Sequence, residues 1–141
     1  MNRKAEISTF RLLSEVEGCR LKPYLCSAGV PTIGLGNTYY EDGKKVTLAD
    51  KPITVERAEQ LFYNIAKEKG TSVNKLVKTE LTQYQWDVAL SLCWQYGAGW
   101  LAKSLFLKQI NKDPKDSKAI RKIFDLMEYQ SRRATEFLHY V

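Results

Sequence analysis

Between Glu17 and Thr38 the chain reads EGCRLKPYLCSAGVPTIGLGNT. Pro23, Pro31, Gly29, Gly34 and Gly36 stand there among Tyr24, Val30, Ile33 and Leu35. Apolar residues alternating between Gly and Pro predict short, sharply turned strands. The run follows an amphipathic segment and opens on a carboxylate. An acid placed where helix gives way to turn-rich strand is held by backbone geometry rather than by a loose loop. This stretch is therefore the expected working part, with the rest of the chain as its support.

The support reads as mainly helical. Ile7, Phe10, Leu13 and Val16 recur every three residues and predict a helix over about 3–16, ended by Gly18. Glu17 then falls in or just beyond the last turn. A helix C-terminus disfavours a nearby anion, the direction that suits a proton donor. Residues 19–48 predict a small antiparallel sheet whose last turn is Glu41-Asp42-Gly43-Lys44. Thr54 is a candidate N-cap for a long helix over 54–79, kinked near Gly70 and joining two lobes. Thr82 and Gln85 match a capping box, and Gly97 with Gly99 ends the helix it opens. Leu101, Leu105, Phe106 and Ile110 predict one further helix. Asp113-Pro114 predicts the N-terminus of the next, and Ser131 to His139 forms the last, with Ala134, Phe137 and Leu138 inward.

At 141 residues this is one domain, large enough to bury a core without metals or disulfides. The expected lobes cover about 15–68 and 75–141, with helix 3–16 packing between them or onto the second. No apolar run approaches the roughly 18 residues of a membrane span. The N-terminus lacks a clean apolar core and a small-residue cleavage site, so a cytosolic product without signal or anchor is expected. Cys19, Cys26 and Cys93 have no zinc spacing and read as reduced thiols. The net charge of +6 favours an anionic partner: nucleic acid, anionic lipid or wall polymer. Apart from Arg132-Arg133 the basic residues are scattered, which argues against nucleic acid.

Several segments, in order, resemble the phage lysozymes, the endolysin muramidases of tailed phages. They are Glu17-Gly18, Tyr24, Gly29 and Thr32-Ile33-Gly34-Leu35-Gly36, then Gln83 to Leu90, then Trp94-Gln95-Tyr96-Gly97-Ala98-Gly99. Ser104-Leu105, Asn111 and Arg132-Arg133-x-x-Glu136 complete the pattern over nearly the whole chain. The resemblance implies an α+β, mainly helical fold of two lobes, with the small sheet in the N-terminal lobe and the substrate cleft between them. It implies hydrolysis of the β-1,4 bond between N-acetylmuramic acid and N-acetylglucosamine in bacterial peptidoglycan. The family's Glu, Asp and Thr fall on Glu17, Cys26 and Thr32. Trp94, Gln95, Ser104 and Arg132 carry over as substrate-binding residues, Arg132 matching an arginine that approaches the glutamate.

Four departures stand out. Cys26 occupies the place of the usual Asp, Asn37 that of a His, and Gln95 that of an Asn. The segment between Phe124 and Arg132 is short and lacks the Trp-containing turn common in the family. Such departures suit an engineered member as well as a natural one.

Each residue also has a bland reading. A lone helix-end glutamate is usually solvated, and only the surrounding motif makes Glu17 the general acid. Most free cysteines are small apolar fillers. At a reference pKa of about 8.5 a thiol is mostly neutral at pH 7, so Cys26 reads equally as base, water-positioner or filler. Thr32 is otherwise a strand residue, and Trp94 sits on an apolar stripe that favours core packing. His139 reads as an ordinary surface residue. The leading function is a muramidase, with water as nucleophile and no metal or cofactor. The runner-up is a catalytically weak peptidoglycan-binding or adaptor protein, and a basic nucleic-acid module ranks third. As an endolysin it would gather as a monomer in the host bacterial cytoplasm. It would reach the periplasmic peptidoglycan through a holin pore.

Overall fold

A computed structural model of the chain describes residues 2–128 and 130–139. Its helices are α1 Ile7–Leu13, α2 Val55–Leu76, α3 Gln83–Tyr96, α4 Ala98–Lys103, α5 Leu105–Lys112, α6 Ser117–Leu126 and α7 Ser131–Leu138. The sheet has two antiparallel strands, β1 Arg20–Leu25 and β2 Pro31–Gly34. The architecture is mainly helical, in two lobes, with the small sheet in the N-terminal one.

The strands pair Tyr24 with Thr32 and Leu25 with Pro31, and the register shifts between there and the Arg20–Gly34 pair. Their turn closes through the Gly29 amide onto the Cys26 carbonyl, 2.8 Å, with Gly29 at φ +76°. Only glycine takes that conformation without strain. Beyond β2 the expected sheet thins to single bridges. Tyr39 pairs with Lys45 around the anticipated turn, where Lys44 N donates to Asp42 Oδ1 at 3.0 Å.

Four expectations are corrected by local packing, backbone geometry and hydrogen bonding. The helix expected over 54–79 runs unbroken through Gly70, where the buried Trp86 ring lies against it, and ends at Leu76, with Thr54 as N-cap. Gly97, at φ +94°, ends α3, but Gly99 lies inside α4. The helix expected around Leu101 to Ile110 breaks at Ser104, whose hydroxyl accepts from Leu107 N and starts α5. The N-cap of α6 is Asp116, accepting from Ala119 N, whereas Asp113 turns the preceding loop by accepting from Lys115 N.

α3 is the axis of the helical lobe. Trp86, Val88, Ala89, Leu90 and Leu92 are fully buried, so it has no solvent face over most of its length. Its capping box, Thr82 with Gln85, is present as expected. Phe106, Phe124 and Phe137 pack centroid to centroid at 5.5–6.3 Å and tie α5, α6 and α7 together. Phe10 meets Phe62 at 5.6 Å, which joins α1 to α2. α1 is also tied to α3 by polar bonds: Ser8 and Thr9 hydroxyls each donate to the Asp87 carboxylate at 2.6 Å. Burial pushes the Asp87 carboxyl above its ordinary value, against those bonds and one from Gln83.

Candidate active site

α1 does not stop as an ordinary helix. It widens at Ser14–Gly18 into a π-helical turn that carries Glu17, and Gly18 closes it at φ +83°. Wide turns of this kind recur at functional sites, because they re-aim a side chain that a regular helix would send elsewhere. The Glu17 side chain keeps 27% of its surface exposed.

The side chain behind it is Arg133, which is 5% exposed. Its Nη2 lies 3.1 Å from Glu17 Oε1. Nε donates to Ser91 Oγ at 2.7 Å, and Nη1 donates to Gln95 Oε1 and Gln130 Oε1, both at 2.8 Å. All three nitrogens are engaged, as a buried guanidinium requires. Burial pulls its pKa down, and Glu17 pulls it back. The carboxylate is thus anchored by a cation that α3 and the start of α7 hold in place.

The arginine expected here was Arg132, and the structure corrects this. Arg132 pairs instead with Glu15 and, at 2.6 Å, with Glu136 on its own helix. Adjacent helical positions differ by about 100° in direction, so two neighbouring arginines cannot share one target. Arg133 lies four residues before the buried Phe137, on the inward face. Arg132 lies four before Glu136, on the outward one.

Cys26 and Thr32 form a second cluster, at the hairpin. Tyr24 faces Thr32 across the strands and Cys26 N bonds to Val30 O at 3.1 Å, so alternation puts Cys26 and Thr32 on one face. The Val30 and Ala28 backbone and the Thr32 hydroxyl hold the Cys26 thiol below its ordinary value. Thr32 is buried, and its hydroxyl donates to Val30 O at 2.8 Å. That hydroxyl has one hydrogen, so it serves Val30 O or a Cys26 thiolate but not both at once. No hydrogen bond links Glu17 to either residue.

The remaining candidates divide. Gln95 meets the site directly: its carbonyl accepts from Arg133, and its NH2 bonds to none of the described residues. Trp94 is half-buried, packed 5.2 Å from Phe62 with Lys69 Nζ 5.6 Å over its ring. Ser104 is fully engaged in capping, donating to Leu101 O and accepting from Leu107 N. Asn37 is buried with Nδ2 on Leu61 O at 3.1 Å and Oδ1 unpaired. The sequence reading missed Arg133, Ser91 and Gln130; helical phase from Phe137 identifies the first.

Two hollows lie along α2. One hollow of about 290 Å³ is lined by Gly36–Tyr40, Asn64, Ile65 and Glu68. The next, about 330 Å³, shares Ile65 and Glu68 and reaches Cys93 and Ala98. Together they reach from the loop after β2 to the α3–α4 corner, and Glu17, Cys26, Thr32 and Arg133 line neither. A roomier hollow of about 630 Å³, between Lys4–Ile7 and Tyr63 and Lys67, holds none of the candidate residues.

The chain is thus mainly helical, in two lobes, with a small hairpin sheet and an arginine-anchored carboxylate just after its first helix. Two solved structures share the fold. One is an endolysin from Escherichia coli O157:H7 phage FAHEc1, with TM-score 0.83 and 25% identity over 100% of this chain and 97% of that one. The other is a mutant of P22 lysozyme, with TM-score 0.81 and 30% identity over 97% of each. In sequence, the endolysin of Salmonella phage P22 is 36% identical over 99 residues, 70% of this chain and 67% of the relative. An endolysin of Acyrthosiphon pisum secondary endosymbiont phage 1 is 34% identical over 100 residues, 71% of this chain and 64% of that protein. The phage lysozyme family model matches residues 14–136, and the chain belongs to that family.

Proposed function

We propose that this protein is an endolysin muramidase that hydrolyses the β-1,4 bond between N-acetylmuramic acid and N-acetylglucosamine, with Glu17 as general acid. The observation that carries this reading is the Arg133–Glu17 contact in a π-helical turn. It fixes one carboxylate and leaves a quarter of that side chain open.

In the proposed reaction Glu17 gives its proton to the glycosidic oxygen as the C1–O bond breaks. A water molecule attacks C1 from the opposite face and loses its own proton. Thr32 and Cys26 orient that water, and the thiolate form of Cys26 accepts the proton. A second proton exchange with solvent resets both groups. The NH2 of Gln95 and the edge of Trp94 are the proposed substrate contacts. No described helix is long and apolar enough to cross a membrane. Synthesis in the host cytoplasm and passage to the periplasmic wall through a holin are part of the proposal.

The presence of Cys26 where a second carboxylate is expected favours one other reading, a wall-binding protein with weak catalysis. Product analysis separates the two. Purified sacculi treated with the protein should release fragments with N-acetylmuramic acid at the new reducing end. Unchanged sacculi, or N-acetylglucosamine at the new ends, would reject the proposed bond.

A further inference from the structure

α5 and α6 pack through their buried stripes, with Phe106 on Phe124 at 5.6 Å, and leave their other faces to solvent. From Leu105 to Leu126, the span of the two helices and their loop, six cations stand against three carboxylates, a net +3 of the chain's +6. At about 100° per residue, Leu105, Lys108 and Lys112 share an arc of about 60° on α5. Lys118, Arg121 and Lys122 share about 100° on α6, with Leu126 one turn beyond Lys122. Lys115 continues the row through the loop. All six cations are exposed, and none makes an ion pair or a side-chain hydrogen bond among the described residues. Two of the three acids do not answer them, because Asp113 and Asp116 turn onto the backbone amides of Lys115 and Ala119. Leu105 and Leu126 lie in the same row at 59% and 68% exposure, the most open large apolar side chains among the described residues.

We infer that this outer face of α5 and α6 docks on an anionic lipid bilayer. The ammonium and guanidinium groups meet the headgroup phosphates, and the two leucines sink to the acyl boundary. A dissolved polyanion answers the charges and leaves the leucines in water. A bilayer surface answers both at once, since long basic side chains keep their heads among the phosphates while neighbouring apolar groups go deeper. The face holds neither Glu17 nor any residue proposed to contact glycan, so docking and bond cleavage occupy separate surfaces. The inference stands apart from the muramidase reading.

The test is co-sedimentation of the full chain with vesicles of phosphatidylcholine containing phosphatidylglycerol, and with vesicles of phosphatidylcholine alone. The protein should bind the first and not the second, and added salt should release it. Replacing Lys112, Lys115 and Lys118 together by Gln should weaken binding about 100-fold, at about fivefold for each charge. Replacing Lys44, Lys45 and Lys51 by Gln removes the same net charge outside these helices and should weaken it by no more than about threefold. Leu105→Gln with Leu126→Gln should weaken it by about tenfold, because the leucines and not the charge then fail. All the substituted side chains are exposed, so circular dichroism should not change. An equal loss in the two lysine triples would overturn the assignment to this face. Unchanged binding by the leucine pair would overturn the bilayer and leave a polyanion as the partner. Equal binding to the uncharged vesicles would overturn the proposal altogether.

Discussion

Arg133 Nη2 lies 3.1 Å from Glu17 Oε1, and the neighbouring Arg132 points the other way, to Glu15 and Glu136. A tandem arginine pair thus serves two purposes, one buried at the site and one on the surface.

The two arginines should therefore respond differently to removal. Arg133→Ala leaves Glu17 unpaired and strips partners from Ser91, Gln95 and Gln130. It should cost about 3–5 kcal/mol of stability and lower lytic rate by at least about tenfold. Arg132→Ala breaks its pairs with the exposed Glu15 and the largely covered Glu136 and should cost about 1 kcal/mol, less than Arg133→Ala, with the rate within about twofold. Urea unfolding and a turbidity assay read both. A larger loss in Arg132→Ala would contradict the assignment.

Cys26 should be the most readily ionised of the cysteines, because the Val30 and Ala28 backbone and Thr32 favour its thiolate while burial pushes Cys19 and Cys93 up. Alkylation by iodoacetamide, followed by mass spectrometry across pH, should show Cys26 reacting at the lowest pH. Thr32→Val should move its midpoint upward. For catalysis, Cys26→Ala should fall at least about tenfold and Cys26→Asp should retain or raise the rate. Full turnover in both Cys26→Ala and Cys26→Ser would remove Cys26 from the mechanism.

Asp87 gives a pH signature of stability. Its folded-state value is raised by burial, so its contribution is full below the unfolded carboxylate value of about 3.9. That contribution is lost as pH rises through the folded value. The stability advantage of the natural protein over Asp87→Asn should shrink as pH increases across this window and then level off. Paired urea titrations measure the difference. An advantage that grows with pH would mean that the bonds from Ser8, Thr9 and Gln83 outweigh burial.

Gly70→Ala should destabilise, although alanine is the better helix former by about 1 kcal/mol. A Cβ there meets the Trp86 ring at 3.2 Å and 3.3 Å. Trp86 is fully buried, and its indole N–H is tied to Asn74 at 2.9 Å, so it cannot yield cheaply. A net loss of about 1 kcal/mol in thermal or urea unfolding is expected. A gain would show that the ring moves.

The fold was legible where pattern and chemistry agreed. The Gly and Pro spacing from Glu17 to Thr38 announced the hairpin, and Thr82 with Gln85 announced the start of α3. Boundaries failed where one hydrogen bond decides. Ser104 breaks a continuous apolar stripe by capping, and Asp116 outcompetes Asp113-Pro114 as N-cap. Glu17 was named from its motif, but the arginine beside it was misplaced by one residue. A tandem pair resembles a motif in either register, and only the phase of Phe137 on α7 distinguishes them. The Gln130 and Tyr96 contacts link residues 34 apart in sequence, and no local pattern encodes such a pair.

The central claim is that Glu17 carries the chemistry, and its most direct test is one substitution. Glu17→Gln keeps the shape of the side chain and a hydrogen-bond acceptor for Arg133 but removes the transferable proton. Clearing of permeabilised Gram-negative cells should fall by about 100-fold or more relative to the unmutated protein, with circular dichroism unchanged. Equal clearing by the two proteins would contradict the account.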